Sequence, residues 1–121
     1  MSEDGDGAIA ARCHCGQVSI ELPRRPSEVT QCNCSLCRKT GFLGIYYQED
    51  EIGVTGSVDP YVRSDLDEAC LTNWHCPRCG CATHWTGLGV HAGKRVGVNA
   101  RLLDKALLDG VPVKQVDGAS W

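Results

Sequence analysis

A mainly β fold of short strands with few helical turns is predicted by three features of the sequence. Fourteen glycines are spread over 121 residues, aromatic residues make up 6% with a single Phe, and the apolar runs are short, several alternating with polar residues. Such a composition favours tight turns and pleated strands over a helical bundle. The length fits one domain, which buries roughly two-thirds of the surface its unfolded chain exposes.

In chain order, Met1-Ser-Glu-Asp-Gly-Asp-Gly7 is acidic and glycine-rich, without the basic start or apolar centre of a secretory signal. It reads as a disordered lead into a single domain over residues 8–121 of a cytoplasmic protein. Ala8–Arg12 and Gln17–Leu22 read as strands; in the second, Val18, Ile20 and Leu22 alternate with Gln17, Ser19 and Glu21, which buries one face. Pro23 and Pro26 end that pattern. Val29–Cys32 reads as extended, Arg38–Gly41 as a helical turn closed by its glycine, and Leu43–Gln48 as a strand followed by turns near Gly53 and Gly56. Val58–Arg63, Ala69–Trp74, Ala82–Thr86 and Arg95–Asn99 continue the β pattern. A short helix is expected over Leu102–Leu108, ended by Gly110, and an extended tail from Val111 to a packed Trp121.

A net charge of −3 argues against nonspecific nucleic-acid binding, which depends on neutralising phosphates. No apolar run approaches membrane-spanning length. Nine cysteines without a secretory leader do not suit a disulfide framework, because cytosolic thiols stay reduced. Their tight spacing suits a shared cation better than cross-links. A structural metal would also compensate for a thin core, since zinc can contribute on the order of 10–16 kcal/mol of apparent binding energy.

Seven cysteines fall in three clusters. Cys76-Pro-Arg-Cys79-Gly80 is the most specific: two thiols three apart on a tight turn can bind one Zn²⁺. Pro77 fixes the turn and Gly80 frees the backbone after it. Cys13-His-Cys15-Gly16 supplies two thiols on one side of an extended segment. Paired with Cys76 and Cys79, Cys13 and Cys15 would complete a closed four-thiolate site of structural type. Cys32-Asn-Cys34-Ser-Leu-Cys37 places three thiols within six positions and no obvious fourth ligand beside them. Three protein ligands leave a position for water or substrate, the mark of a catalytic zinc. With three thiolates the centre carries a charge of about −1, better suited to holding a substrate thiol as thiolate than to activating water. The alternative is a second closed site completed by Cys70, Cys81, His75, His84 or His91, and other pairings of the clusters remain open.

Cys70 and Cys81 read as small buried hydrophobes, with a redox role as the alternative. His14 and His75 flank ligands, and His84 and His91 read as packed or surface histidines. Arg38 and Lys39, directly after the three-cysteine cluster, are candidates to pair with a substrate carboxylate. Trp85 reads as core packing, or as a pocket wall.

C-H-C-G, then C-N-C-S-L-C-R-K-T-G, then C-P-R-C-G and V-N-A-R-L-L-D together resemble the glutathione-dependent formaldehyde-activating enzyme family, which also includes the centromere-protein-V-like proteins. The resemblance runs over nearly the whole chain from about Ala10. It implies a β-tent of short antiparallel sheets around zinc, with Cys13, Cys15, Cys76 and Cys79 on the structural zinc and Cys32, Cys34 and Cys37 on the catalytic one. It also implies a carbon–sulfur lyase that joins formaldehyde to glutathione, giving S-hydroxymethylglutathione, with the thiol and the aldehyde as its small-molecule partners. A noncatalytic zinc module that recognises a protein or a small ligand is the alternative, and a thiol redox protein is a third.

Overall fold

The computed structural model describes residues 8–120, so the expected disordered lead and Trp121 lie outside the described residues. The chain forms β1 (Ile9–Arg12), β2 (Ser19–Leu22), β3 (Val29–Cys32), α1 (Ser35–Thr40), β4 (Leu43–Gln48), β5 (Gly53–Thr55), β6 (Asp59–Tyr61), β7 (Leu71–His75), β8 (Ala82–Gly87), β9 (Arg95–Asn99) and β10 (Val113–Val116). The mainly β class is as expected, and β3, β4 and β9 have the expected bounds. No described helix is long and apolar enough to cross a membrane.

Strands β1, β2 and β5 make a three-stranded antiparallel sheet, and the other seven form a second sheet in the order β10-β3-β4-β9-β8-β7-β6. All pairs are antiparallel except β10 with β3, which run parallel. Ala11, Ile20 and Leu22 from the small sheet meet Ile45, Tyr47, Val96 and Val98 from the large one in a single core. Because strand side chains alternate, Gly44, Tyr46, Arg95 and Gly97 lie on the opposite face of β4 and β9. That face lines the cleft described below.

Several elements differ from expectation. The helical turn expected at Arg38–Gly41 begins earlier, at Ser35, because the Cys34 side chain accepts the Cys37 N–H and caps the helix; Gly41 closes it at φ 74°. Gly53 belongs to β5, where it pairs with Glu21, and only Gly56 makes a turn, at φ 97°. β6 keeps three residues of the expected Val58–Arg63; its Pro60, which cannot donate to a ladder, sits on the sheet's edge strand.

The expected Leu102–Leu108 helix is two 3-10 turns, Ala100–Leu102 and Lys105–Leu108. Asn99 and Asp104 each accept the N–H two residues ahead, so each turn starts afresh around the extended Leu103. The tail is extended through β10 and then turns at Gly118–Ser120.

Candidate metal centres

The first centre joins two loops. Between β1 and β2 the chain reverses through Gly16, at φ 82°, whose N–H bonds the Cys13 carbonyl at 3.0 Å. After β7, Gly80 makes the same kind of turn at φ 81° and donates to the Cys76 carbonyl at 2.9 Å. These reversals free backbone amides to point at sulfur. Val18 N–H lies 3.3 Å from Cys13 Sγ, and Arg78 and Cys79 N–H lie 3.3 and 3.4 Å from Cys76 Sγ.

The Gln17 side chain adds a donor to Cys76 Sγ at 3.4 Å and ties it to Ser57. Cys15 Sγ is 3.7 Å from both Cys13 Sγ and Cys76 Sγ, and the four sulfurs, with that of Cys79, lie within 4.8 Å of one another. A tetrahedron of sulfurs about 2.3 Å from a central zinc has edges of about 3.8 Å, so the donor set fits that ion. The amides of Cys81 and Cys15 hold the pKa of the Cys79 thiol down to about 5, while, against the Gln17 amide, burial and the neighbouring thiols push that of Cys15 up to about 11.

The second centre is built on the step from β3 into α1. Cys32 ends the strand, Cys34 caps the helix and Cys37 lies in its first turn. The Cys34 N–H points at Cys32 Sγ at 3.5 Å and the Cys37 N–H at Cys34 Sγ at 3.4 Å. All three are half-buried, and their sulfurs lie within 4.8 Å of one another. Burial opposes the Cys34 thiolate, but the amides of Cys37 and Leu36 and the neighbouring thiols outweigh it, so its pKa falls below the ordinary thiol value. Burial and the charge of Cys34 push Cys37 the other way. Among the described residues no fourth His, Cys, Asp or Glu joins this group. Both clusters could therefore hold a metal ion, one with four protein ligands and one with three.

Distant segments fix the second centre. Asn33, between Cys32 and Cys34, donates to Asp117 Oδ1 and accepts from the Ala119 N–H, both at 2.9 Å. Arg101 Nε donates to the Gly41 carbonyl at the helix end. Buried Asn99 accepts from the Leu43 N–H and donates to the Ala82 carbonyl, holding β4, β8 and β9 in register beneath it. The V-N-A-R run thus positions the cluster.

The cluster opens on a cleft of about 1280 Å³ across the outer face of the large sheet. Arg38 and Lys39 line it from the exposed last turn of α1. Trp85 is half-buried and forms part of the wall.

Among the other sequence candidates, Cys70 is exposed, contrary to the expected burial, because it sits in the loop before β7 rather than inside the strand expected from Ala69. Cys81 is half-buried against the core. His14 and His91 are exposed; His84 is buried and stacks on Trp74 with ring centroids 6.2 Å apart.

Three cleft residues escaped the sequence reading. Arg63 is clamped by Asp65 and reaches Ser35 Oγ at 3.2 Å. Arg95 lies over the Tyr46 ring, 4.3 Å from its centroid. Alternation in β4 and β9 is a signal that could have placed Tyr46 and Arg95 on the outer face. Nothing local marks Arg63, whose loop follows the strand at the far edge from β10.

Comparison with known proteins agrees with this architecture. A crystal structure of a Rhodobacter sphaeroides protein, a structural-genomics target, superposes with a TM-score of 0.66 at 25% identity, covering 88% of this chain and 100% of that one. No curated protein matches the chain. The family model described as glutathione-dependent formaldehyde-activating enzyme matches residues 8–115, a span that contains both cysteine centres and the Asn99–Arg101 brace. The chain belongs to that family.

Proposed function

We propose that the chain is a zinc-dependent carbon–sulfur lyase acting on the adduct of a small thiol and an aldehyde, with S-hydroxymethylglutathione, from glutathione and formaldehyde, as its default substrate pair. The observation that carries this reading is the three-cysteine group at the mouth of a cleft, with no fourth protein ligand among the described residues. A zinc held there would supply a position for a thiol sulfur as thiolate, while the four-cysteine centre would hold a structural zinc.

The remaining work falls to the chain. Its cleft holds thiol and aldehyde together, which removes much of the entropic barrier to their meeting. Sulfur forms a bond to the carbonyl carbon, the carbonyl π electrons move to oxygen, and the thiol's proton ends on that oxygen. No oxidant or reductant is needed. Arg38 and Lys39 would meet an acidic group close to the sulfur. The nine cysteines, none of them in a disulfide, support a reducing compartment, the cytoplasm.

The test is metal analysis with X-ray absorption on purified protein, with and without glutathione. Two zincs per chain are expected, one of them gaining a fourth sulfur on addition of glutathione. Two sites indifferent to glutathione, or full turnover by Cys34→Ser, would overturn the reading.

A further inference from the structure

The four-cysteine centre has a fifth thiol beside it. Cys81 follows Cys79 after a single glycine and packs, half-buried, against the core. Its Sγ accepts the His14 N–H and lies in hydrogen-bond contact with the Cys79 thiol. It is nonetheless outside the group of four sulfurs, from Cys13, Cys15, Cys76 and Cys79, that lie within 4.8 Å of one another. Four thiolates complete a tetrahedral zinc, so Cys81 has no ligand position to fill.

The backbone keeps Cys79 and Cys81 close. The Cys76 N–H donates to the Cys81 carbonyl at 3.0 Å and the Gly80 N–H to the Cys76 carbonyl at 2.9 Å, which closes the turn. Two residues of extended chain span at most about 7 Å. Gly80, left-handed at φ 81°, folds the chain between the two cysteines and shortens that span toward the Cα separation of about 4.4–6.8 Å that a disulfide accepts. Nothing stands within 4 Å of the open side of Gly80, so the turn has room to adjust as the sulfurs approach. Both cysteines are only half-buried, within reach of a small oxidant.

We propose that Cys79 and Cys81 form a peroxide-sensitive dithiol whose oxidation to a disulfide takes a ligand away from the four-cysteine centre. The oxidant is a small hydroperoxide, hydrogen peroxide being the simplest. The Cys79 thiolate attacks the peroxide. A sulfur–oxygen bond forms as the oxygen–oxygen bond breaks, so Cys79 becomes a sulfenic acid and the other oxygen leaves as hydroxide, which takes a proton from solvent. The Cys81 sulfur then attacks Cys79 Sγ, and the sulfenic oxygen leaves as water with the Cys81 proton. Two electrons have passed from the pair of sulfurs to the peroxide. Cys13 and Cys15 keep their thiolates, but from the loop after β7 only Cys76 is left to meet them. A dithiol reverses the change by thiol–disulfide exchange. Cys81 thus stops the oxidation of Cys79 at a reversible stage, before the sulfinic acid that thiols cannot reduce. Nothing in this chemistry depends on the reaction proposed at the three-cysteine centre.

The experiment treats the zinc-loaded protein with hydrogen peroxide, follows zinc release with a colorimetric chelator, alkylates the remaining thiols and digests with trypsin. Cleavage after Arg78 and Lys94 yields residues 79–94, whose cysteines are Cys79 and Cys81 alone. Cys76 and the three-cysteine cluster fall in other peptides. Zinc release should track the appearance of this peptide unalkylated and lighter by the two hydrogens lost. Dithiothreitol with added zinc should restore both the free thiols and the zinc content.

Cys81→Ser should bind as much zinc as wild type before treatment. After the same peroxide dose it should fail to recover its zinc, and Cys79 should carry a sulfenic acid that dimedone traps or the sulfinic acid beyond it. Cys81→Ala gives the same readout without a half-buried hydroxyl. Zinc release while peptide 79–94 stays fully alkylated would overturn the proposal. So would recovery of both Cys81 variants as complete as that of wild type, or zinc retained in full by protein whose Cys79–Cys81 disulfide has formed.

Discussion

Replacing Gly56 with alanine isolates one contact that supports the four-cysteine centre. Gly56 follows β5 at φ 97°, and a Cβ there would stand 2.0 Å from the Gln17 carbonyl oxygen and 3.0 Å from Val18 Cα. Both obstacles are backbone, so no rotamer change relieves them. The left-handed conformation alone costs an L-residue about 1–2 kcal/mol. The forced shift of a packed strand adds about 1–3 kcal/mol, so Gly56→Ala should lose about 2–5 kcal/mol.

The displaced residue matters as well. Gln17 bonds Ser57 in both directions and donates to Cys76 Sγ, and the next amide, Val18 N–H, points at Cys13 Sγ. Urea unfolding at saturating zinc measures the cost, with the midpoint expected to fall by roughly 1–3 M. Gly93→Ala is the control. It shares a left-handed φ of 75° but has nothing within 4 Å of the added carbon, so it should lose only the conformational part. If Gly56→Ala is no more destabilised than Gly93→Ala, the clash argument is wrong.

Two further outcomes follow from buried groups. Stripping metal with a strong chelator should abolish cooperative unfolding rather than lower its midpoint, because zinc binding of about 10–16 kcal/mol matches or exceeds a domain's net stability; far-UV and near-UV circular dichroism would report it. His84, buried and stacked on Trp74, has its pKa lowered by burial to about 4. Thr83 Oγ1 donates to the Trp74 carbonyl, which leaves His84 Nδ1 as donor to that hydroxyl, and burial keeps the ring neutral. The unfolded chain binds this proton near pH 6.5 and the folded one near 4, so the contribution is complete above 6.5 and is lost as pH falls toward 4. It amounts to roughly 3 kcal/mol. His84→Asn should flatten stability against pH in that window; an unchanged acid limb would show that His84 does not titrate there.

The parts of the fold legible in the sequence are those whose cause is local. The cysteine spacings report a strand end and two turns, because a thiol pair two or three residues apart can share an ion only on particular backbone shapes. β3, β4 and β9 were readable from alternation and β-branched content. The expected Leu102–Leu108 helix failed for a reason that is also local but finer. Asn99 and Asp104 each offer the backbone a capping oxygen, and two capped turns replace one continuous helix. Cys70 was misplaced because the start of β7 is set by its pairing with β8, in which Leu71 faces Gly87.

What the sequence could not show is which distant residues converge on the three-cysteine cluster. Three thiols on a β3–α1 step specify a metal and a sulfur, and nothing about the rest of a substrate. Selectivity has to come from side chains elsewhere along the cleft, and their arrival depends on strand order rather than on neighbours in sequence. β4 pairs with β9 so that Tyr46 faces Gly97, and β9 pairs with β8 so that Gly97 faces Trp85. A one-residue slip in either pairing would turn these side chains toward the core. Buried Asn99 bonds β4 at the Leu43 N–H and β8 at the Ala82 carbonyl, and so guards against that slip. The residue that secures the register of the cleft lies two positions before Arg101, which secures the end of the cysteine-bearing helix. Metal centre and cleft wall are in this way set by one short run of chain, so a substitution at Asn99 would alter the geometry of both together.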